Sequence, residues 1–294
     1  MVVIKRKIIG KKTYYYLEHS FREKAKIKVK SKYLGLSLPK NIEEVKKNFF
    51  YEVFKEKWFP TLNEIKRKYT KEKRTHSSSF WEKKLHNFMI KFTYDTQRIE
   101  GSTLTLRETA DVLEHGITPG NKSLDDVKEA EAHEKVFNEI LEYKKDISLQ
   151  IILKWHKQLL YETKPDIAGK VRKGQVEIGG SRFVPPTPVE MDLLLRDFFA
   201  WYGKHKKALH PIELAALVHL KFVTIHPFVD GNGRISRLMM NFILVKTGYP
   251  LFTVPYNNRS SYYTALERSQ IKKEDYIFVR WFVKKYVKQT KGVP

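Results

Sequence analysis

The 294-residue sequence contains no cysteine, which excludes disulfides, thiolate metal sites and a thiol nucleophile. No apolar run approaches the ~20 residues that a membrane-spanning helix needs. The lysine-rich start lacks the continuous apolar stretch of a secretory signal, so the expected setting is the cytoplasm, with no membrane partner. There is no internal repeat, and low complexity is confined to Ser77–Ser79. Acidic residues are scarce: 33 Asp and Glu stand against 56 Lys and Arg, a formal net charge of +23. What is present is enough for a folded protein, because 41% hydrophobic residues over this length can bury a substantial core and carry an appendage.

The positive charge is concentrated at the front. Residues 1–75 hold 22 Lys and Arg against 8 Asp and Glu, a net +14. Val2–Ile9, Thr13–Leu17 and Lys26–Lys30 read as short strands, with a turn at Gly10-Lys11-Lys12. Alternation in the last strand predicts Ile27 and Val29 on a buried face and Lys26, Lys28 and Lys30 on a solvated one. Tyr14, Tyr15, Tyr16, Tyr33 and Leu34 are the expected miniature core. Helices are expected from Asn41 to Lys57 and from Thr61 to Lys68, with Pro60 as the break. The chain then divides into a small basic β module (residues 1–36), a helical connector (37–75) and a core (76–294). The lysine face has two readings: an edge protected from aggregation, or a contact for nucleic acid or an acidic protein, since lysines near aromatics suit phosphates and stacked bases.

The most informative stretch is His226-Pro227-Phe228-Val229-Asp230-Gly231-Asn232-Gly233-Arg234-Ile235-Ser236-Arg237. Pro211 to Ile225 before it reads as a buried helix opened by proline, and Ile235 to Lys246 after it as another apolar helix, ended by Gly248 and Pro250. Gly231 and Gly233 are expected to allow positive φ and let backbone N–H groups converge at a helix N-terminus, where the dipole favours an anion. A polyphosphate fits that description. Arg234 and Arg237 lie three apart and are expected to project towards the same anion. Asp230 suits an oxygen ligand for a divalent ion, most plausibly Mg²⁺. His226 titrates near neutrality and can take a proton from an attacking hydroxyl.

This run resembles the signature of the Fic (Fic/Doc, or Fido) family, His-Pro-Phe-x-Asp/Glu-Gly-Asn-Gly-Arg-x-x-Arg, at every fixed position. The resemblance implies transfer of AMP from ATP to a Ser, Thr or Tyr hydroxyl of a target protein on a helical core. It implies His226 as general base, Asp230 as Mg²⁺ ligand, and Gly231, Asn232 and Gly233 as the phosphate hole. Arg234 and Arg237 would hold the outer phosphates. The kinase-like branch has lysine where this chain has Gly233, so the resemblance is to the AMP-transferring branch.

Three further segments take meaning from that resemblance. Phe80 to Ile99 reads as a helix capped by Ser79 and ended by Gly101. Thr96-Gln97-Arg98-Ile99-Glu100-Gly101 at its end resembles the family's inhibitory motif, which implies an inhibitory helix over about residues 79–100 whose Glu100 reaches Arg237 in place of the γ-phosphate. In some relatives the same glutamate activates water to remove AMP, and both outcomes stay open. Gln175 to Val184 alternates around Gly179-Gly180, the pattern of a hairpin. In the family this hairpin is a flap that adds the target backbone as a strand, which makes Val176, Glu177, Ile178 and Phe183 flap candidates. Asn257 to Tyr263 resembles the adenine-contacting segment, with Tyr263 as the stacking candidate and Gln270 where some relatives place asparagine. Ser123 to Lys145 reads as an amphipathic helix with no assigned chemistry.

The expected fold is mainly α: an orthogonal bundle of about eight helices with a β-hairpin flap, preceded by a small basic α+β region. The expected function is an autoinhibited protein adenylyltransferase using ATP and Mg²⁺. The alternative is a nucleic-acid-associated regulatory protein whose core mainly senses nucleotide.

Overall fold

The front of the chain is a meander of antiparallel strands, β1 (Val2–Ile9), β2 (Lys12–Glu23) and β3 (Lys26–Gly35), paired in that order. The structure is a computed structural model describing residues 2–23 and 26–291. The chain divides into two compact units, Met1–Asn63 and Glu64–Pro294. Ile9 pairs with Lys12, so Gly10-Lys11 is a two-residue loop, and Gly10 takes the positive φ (+60°) that suits its first position.

Register decides the faces of this sheet. Ile4, Leu17 and Lys32 lie abreast, and Val2, Ile4, Leu17, Phe21 and Leu34 cluster with Ile42, Val45, Phe49 and Val53 of helix α1 (Ile42–Thr75). The β3 lysines therefore share the helix side, where Lys32 reaches Glu52 at 3.7 Å and Lys30 pairs with Glu56. Ile27 and Val29 face away, 69% and 57% exposed, the reverse of the face expected from alternation. Glu52 and Glu56 give the lysine heads partners while the stems cover the sheet, and with a side-chain period of two that choice turns the whole strand over. Tyr14, Tyr16 and Tyr33 consequently cluster on the outer face, with ring centroids 5.2 Å apart for Tyr16–Tyr33 and 6.2 Å for Tyr14–Tyr33; they are not the miniature core.

Helix α1 runs unbroken through Pro60, so the expected break is absent. An interior proline costs roughly 3 kcal/mol. The turns on either side are held by packing, Phe49 and Val53 on the sheet and Tyr69 against Trp81 at 5.3 Å between ring centroids.

Nine more helices follow among the described residues: α2 (Ser78–Ile99), α3 (Leu106–His115), α4 (Leu124–Glu142), α5 (Leu149–Leu160), α6 (Met191–His205), α7 (Pro211–Ile225), α8 (Asn232–Lys246), α9 (Arg259–Lys272) and α10 (Asp275–Lys291). Their ends follow local chemistry. The Ser77 hydroxyl, two residues earlier than the Ser79 cap expected, accepts from the Phe80 N–H at 3.3 Å. Thr105 and Glu108 close a reciprocal capping box at the start of α3, and Gly116 ends that helix with φ +65°. The apolar α7 is buried on nearly all sides and packs on α8, with α10 across α7 and α9, and α4 against α2, α5 and α8. No helix among the described residues is long and apolar enough to cross a membrane.

The expected flap is a reversal without a ladder. Ser181 N–H donates to the Ile178 carbonyl at 3.0 Å around Gly179-Gly180, but the arms are not strands. Their donors go elsewhere: Arg182 N–H to Glu267 at 3.3 Å and Phe183 N–H to Ser181 Oγ at 3.1 Å. Pro185 and Pro186 have no N–H to give.

Candidate active site

The candidate site forms where α7 ends and α8 begins. His226 terminates α7 in the left-handed region, φ +53°, an uncommon conformation for a residue with a Cβ. Its ring Nδ1 lies 3.2 Å from the Val223 carbonyl. A carbonyl only accepts, so Nδ1 carries the hydrogen and Nε2 keeps its lone pair. Burial lowers the His226 pKa from its ordinary value, and the Arg172 charge adds to this. A neutral imidazole with Nε2 open is the form a general base requires.

Three side chains, one from the run itself and two from elsewhere in the chain, hold the loop in shape. Asn232 Oδ1 accepts from the Phe228 N–H at 2.9 Å and its Nδ2 donates to the Phe228 carbonyl at 2.8 Å, so this side chain ties the loop together. His156 on α5 stacks on Phe228, with centroids 3.7 Å apart and planes 12° off parallel. It accepts from the Gly169 N–H through Nδ1 at 2.8 Å and so donates from Nε2 to the Asp230 carbonyl at 2.9 Å. Burial brings its pKa to about 4, which keeps the ring neutral, and the Gly169 N–H fixes the tautomer. Arg172, itself buried, donates to the carbonyls of His226 at 2.8 Å, Gly174 at 2.9 Å and Pro186 at 2.5 Å. It thereby fastens both ends of the flap segment to the histidine.

The glycines differ in role. Gly231 has φ +83° and a Cβ there would meet the His156 ring at 3.2 Å. Gly233 has an ordinary φ, contrary to expectation, and its value is the missing Cβ, which would collide with the Glu100 carboxylate. No side chain caps the α8 N-terminus at Gly231.

The two arginines part company. Arg234, 1% exposed, pairs with Glu129 on α4 and donates to Asp230 Oδ2 at 3.0 Å and to Gln97 Oε1 at 3.4 Å. Arg237 meets Glu100 Oε1 at 2.5 Å, the Thr96 hydroxyl at 3.2 Å, the Thr96 carbonyl at 3.3 Å and the Tyr262 hydroxyl at 3.4 Å. They do not converge on one point. Glu100, the C-cap of α2, thus occupies the guanidinium that an anion would use. Asp230 also accepts from Lys164 at 2.5 Å and from the Gly231 N–H at 2.5 Å. Burial alone would raise its pKa, but Arg234 and Lys164 hold the carboxyl well below the usual range.

The remaining candidates lie further out. Tyr263 is half exposed and its hydroxyl donates to the Ile99 carbonyl at 2.9 Å, bracing the end of α2. Gln270 is buried and donates to Thr224 Oγ1 at 3.2 Å. Val176, Ile178 and Phe183 are half buried and Glu177 is exposed, while the reversal is tethered to α9 by Arg182 and Glu267 at 3.0 Å. Glu129, His156, Lys164 and Arg172 were not readable as site residues, because nothing in their own neighbourhoods departs from helix or loop composition. The one cue was Glu129, an acid beside the inner residues Val127 and Ala130 of α4.

Residues 146–244 match the model of the Fic/DOC family, a span holding the whole run from His226 to Arg237 but not Thr96, Glu100, Glu129 or Tyr263. Protein adenylyltransferase Fic from Drosophila virilis is 42% identical over 178 residues, covering 59% of this chain and 36% of that protein. The Drosophila melanogaster protein of the same name is 41% identical over the same length and shares. The chain therefore spans about a third of the length of these curated relatives. The crystal structure of a Fic domain containing signaling protein from Bacteroides thetaiotaomicron superposes with a TM-score of 0.71 at 26% identity, covering 78% of this chain and 94% of that one. Fic-1 from C. elegans (residues 134–508) gives 0.71 at 26% identity, covering 86% of this chain and 76% of that chain. With its histidine, acidic residue, glycines and arginines set at one helix junction inside the matched span, residues 146–244 of this chain form a domain that matches the Fic/DOC family.

Proposed function

We propose that this chain is an autoinhibited protein adenylyltransferase that moves AMP from ATP to a Ser, Thr or Tyr hydroxyl of a target protein. The observation that carries the reading is the pairing of a neutral His226 with Nε2 open and an Arg237 taken by Glu100. The curated relatives' name, protein adenylyltransferase, agrees with it. The target oxygen attacks the α-phosphorus, the bond from that phosphorus to the bridging oxygen breaks, pyrophosphate leaves, and His226 Nε2 takes the hydroxyl proton. Gly231, Asn232 and Gly233 present the α8 N-terminus to the phosphates, and Arg237 binds the outermost phosphate once Glu100 withdraws. Tyr263 flanks the base, and Val176, Glu177, Ile178 and Phe183 receive the target backbone, whose arms have no ladder of their own to give up.

Asp230 suits one inner-sphere contact to Mg²⁺. It is ionised and partly open, and it stands alone, since the described residues include no cluster of three metal-binding side chains. That fits an ion which keeps waters and draws its other ligands from phosphate oxygens. The ion would neutralise phosphate charge.

Intact-protein mass spectrometry after incubation with ATP and Mg²⁺ tests the reading. An AMP-sized increment on Glu100→Gly, absent from the parent and from Glu100→Gly/His226→Ala, is the expected result. No increment on Glu100→Gly, with or without added target protein, contradicts it. The reading extends to AMP removal, with Glu100 activating water; release from a modified substrate by the parent and not by Glu100→Gln is the corresponding result.

A second reading rests on the outer face of the sheet. Tyr14, Tyr16 and Tyr33 cluster there, with Lys7 4.7 Å from the Tyr16 ring, in a region of net +14. Stacking rings beside cations suit single-stranded nucleic acid. Salt-sensitive oligonucleotide binding lost on Tyr16→Ala/Tyr33→Ala is expected under it; binding indifferent to those changes contradicts it.

A further inference from the structure

Lys164 follows α5 and belongs to none of the segments that the sequence marks as functional. Its backbone is fixed in a tight turn, N–H to the Leu160 carbonyl at 2.7 Å and carbonyl to the Ala168 N–H at 3.1 Å. Its ammonium bridges two carboxylates, one in the loop before α8 and one on α4: Asp230 Oδ2 at 2.5 Å and Glu129 Oε1 at 3.2 Å. Glu129 is held independently, by Arg234 on its other oxygen and by the Thr163 hydroxyl at 3.1 Å.

Asp230 Oδ2 therefore carries two cations of unlike kind. Arg234 is 1% exposed and locked from within; Lys164 is 41% exposed and reaches in from solvent. The guanidinium is part of the fold, whereas the ammonium is a compact charge on a flexible stem. Asp230 Oδ1 is already turned to the Gly231 N–H. The outward side of this carboxylate is thus filled by Lys164, the side from which a divalent ion would have to approach. Ammonium and ion cannot share that position, since both are hard cations needing the same lone pair.

We propose that Lys164 is a tethered counterion that occupies the cation position on Asp230 until nucleotide brings a divalent ion, and so sets the ion concentration the site requires. When it is displaced, Lys164 keeps Glu129, which is why the exchange leaves neither carboxylate of the pair without a partner. This inference rests on Asp230 being the metal contact.

The test measures Mn²⁺ binding by the electron paramagnetic resonance of the free ion, in Glu100→Gly protein with a non-hydrolysable ATP analogue. Lys164→Met should bind Mn²⁺ about tenfold more tightly, because the competent state no longer has to be vacated. Lys164→Arg, which keeps the charge, should not. Lys164→Gln keeps hydrogen bonds to both carboxylates and should also tighten binding, which covers failure of the Met variant to fold. Affinity unchanged or weakened in the neutral variants overturns the proposal. Asp230→Ala separates the two levels: if it binds Mn²⁺ as the parent does, Asp230 is not the metal contact and the underlying assignment fails first.

Discussion

At the residue scale, the site is a set of charges and tautomers made unambiguous by neighbours. His226 is depressed from its ordinary pKa of 6.5 by burial and then by Arg172, so the base is neutral at and above that pH. The expected kcat/KM profile of the Glu100→Gly enzyme is level above about 6.5 and falls only as pH drops through the lowered pKa. An acid limb centred above 6.5 contradicts this assignment. His226→Ala should cost at least about 10² in rate while circular dichroism stays unchanged. Gly231→Ala forces a Cβ onto φ +83° against His156 and should lower stability by about 1–3 kcal/mol, read from urea unfolding. The run from 226 to 237 was legible because its chemistry is contiguous. Glu129, His156, Lys164 and Arg172 were not, because each acts through a residue distant in the chain.

At the element scale, helix ends bring the site residues together. Glu100 can reach Arg237 because α2 ends there, and Tyr263 on α9 holds that end by the Ile99 carbonyl. Tyr263→Phe removes only the hydroxyl, and under this arrangement it should raise transfer in the parent background while leaving the Glu100→Gly rate nearly unchanged. A fall in both would show that the hydroxyl serves the nucleotide and not the end of α2. Arg172 joins the flap ends to His226, so Arg172→Lys should raise KM for the target more than for ATP. In the front unit, Pro60→Ala restores a helical N–H inside α1 and should stabilise that unit by about 1–3 kcal/mol; a decrease would mean that α1 needs the bend. Here the sequence misled, since a proline reads as a stop and only packing on both sides carries the helix past it.

At the scale of the whole molecule, the second unit is acid-sensitive by construction. His133 and His219 are brought to about 3, and His156 and His210 to about 4, each from 6.5 and each by burial first. In the unfolded chain these groups take up protons near 6.5, and in the fold they do not. Their contribution is intact above 6.5 and lost as pH falls towards 4 and 3, on the order of 1 kcal/mol per pH unit for each. The melting temperature should drop steeply between pH 6.5 and 4, and His156→Asn should flatten part of that slope; a melting temperature level across this range contradicts it.

The sequence by itself determined the helical class and singled out the His226–Arg237 run and Glu100 as candidates, because caps, glycines and helical spacing act within a few residues of one another. Tertiary structure alone decided three things. It set the face of β3, because α1 supplies Glu52 and Glu56 to the lysine side of the strand, the side that alternation alone assigned to solvent. It sent Arg234 and Arg237 to different partners, because α4 brings Glu129 to one and α2 brings Glu100 to the other. It also placed Lys164 on Asp230, because only a folded chain turns a solvent-side lysine 66 positions away into a charge within hydrogen-bond reach of one carboxylate.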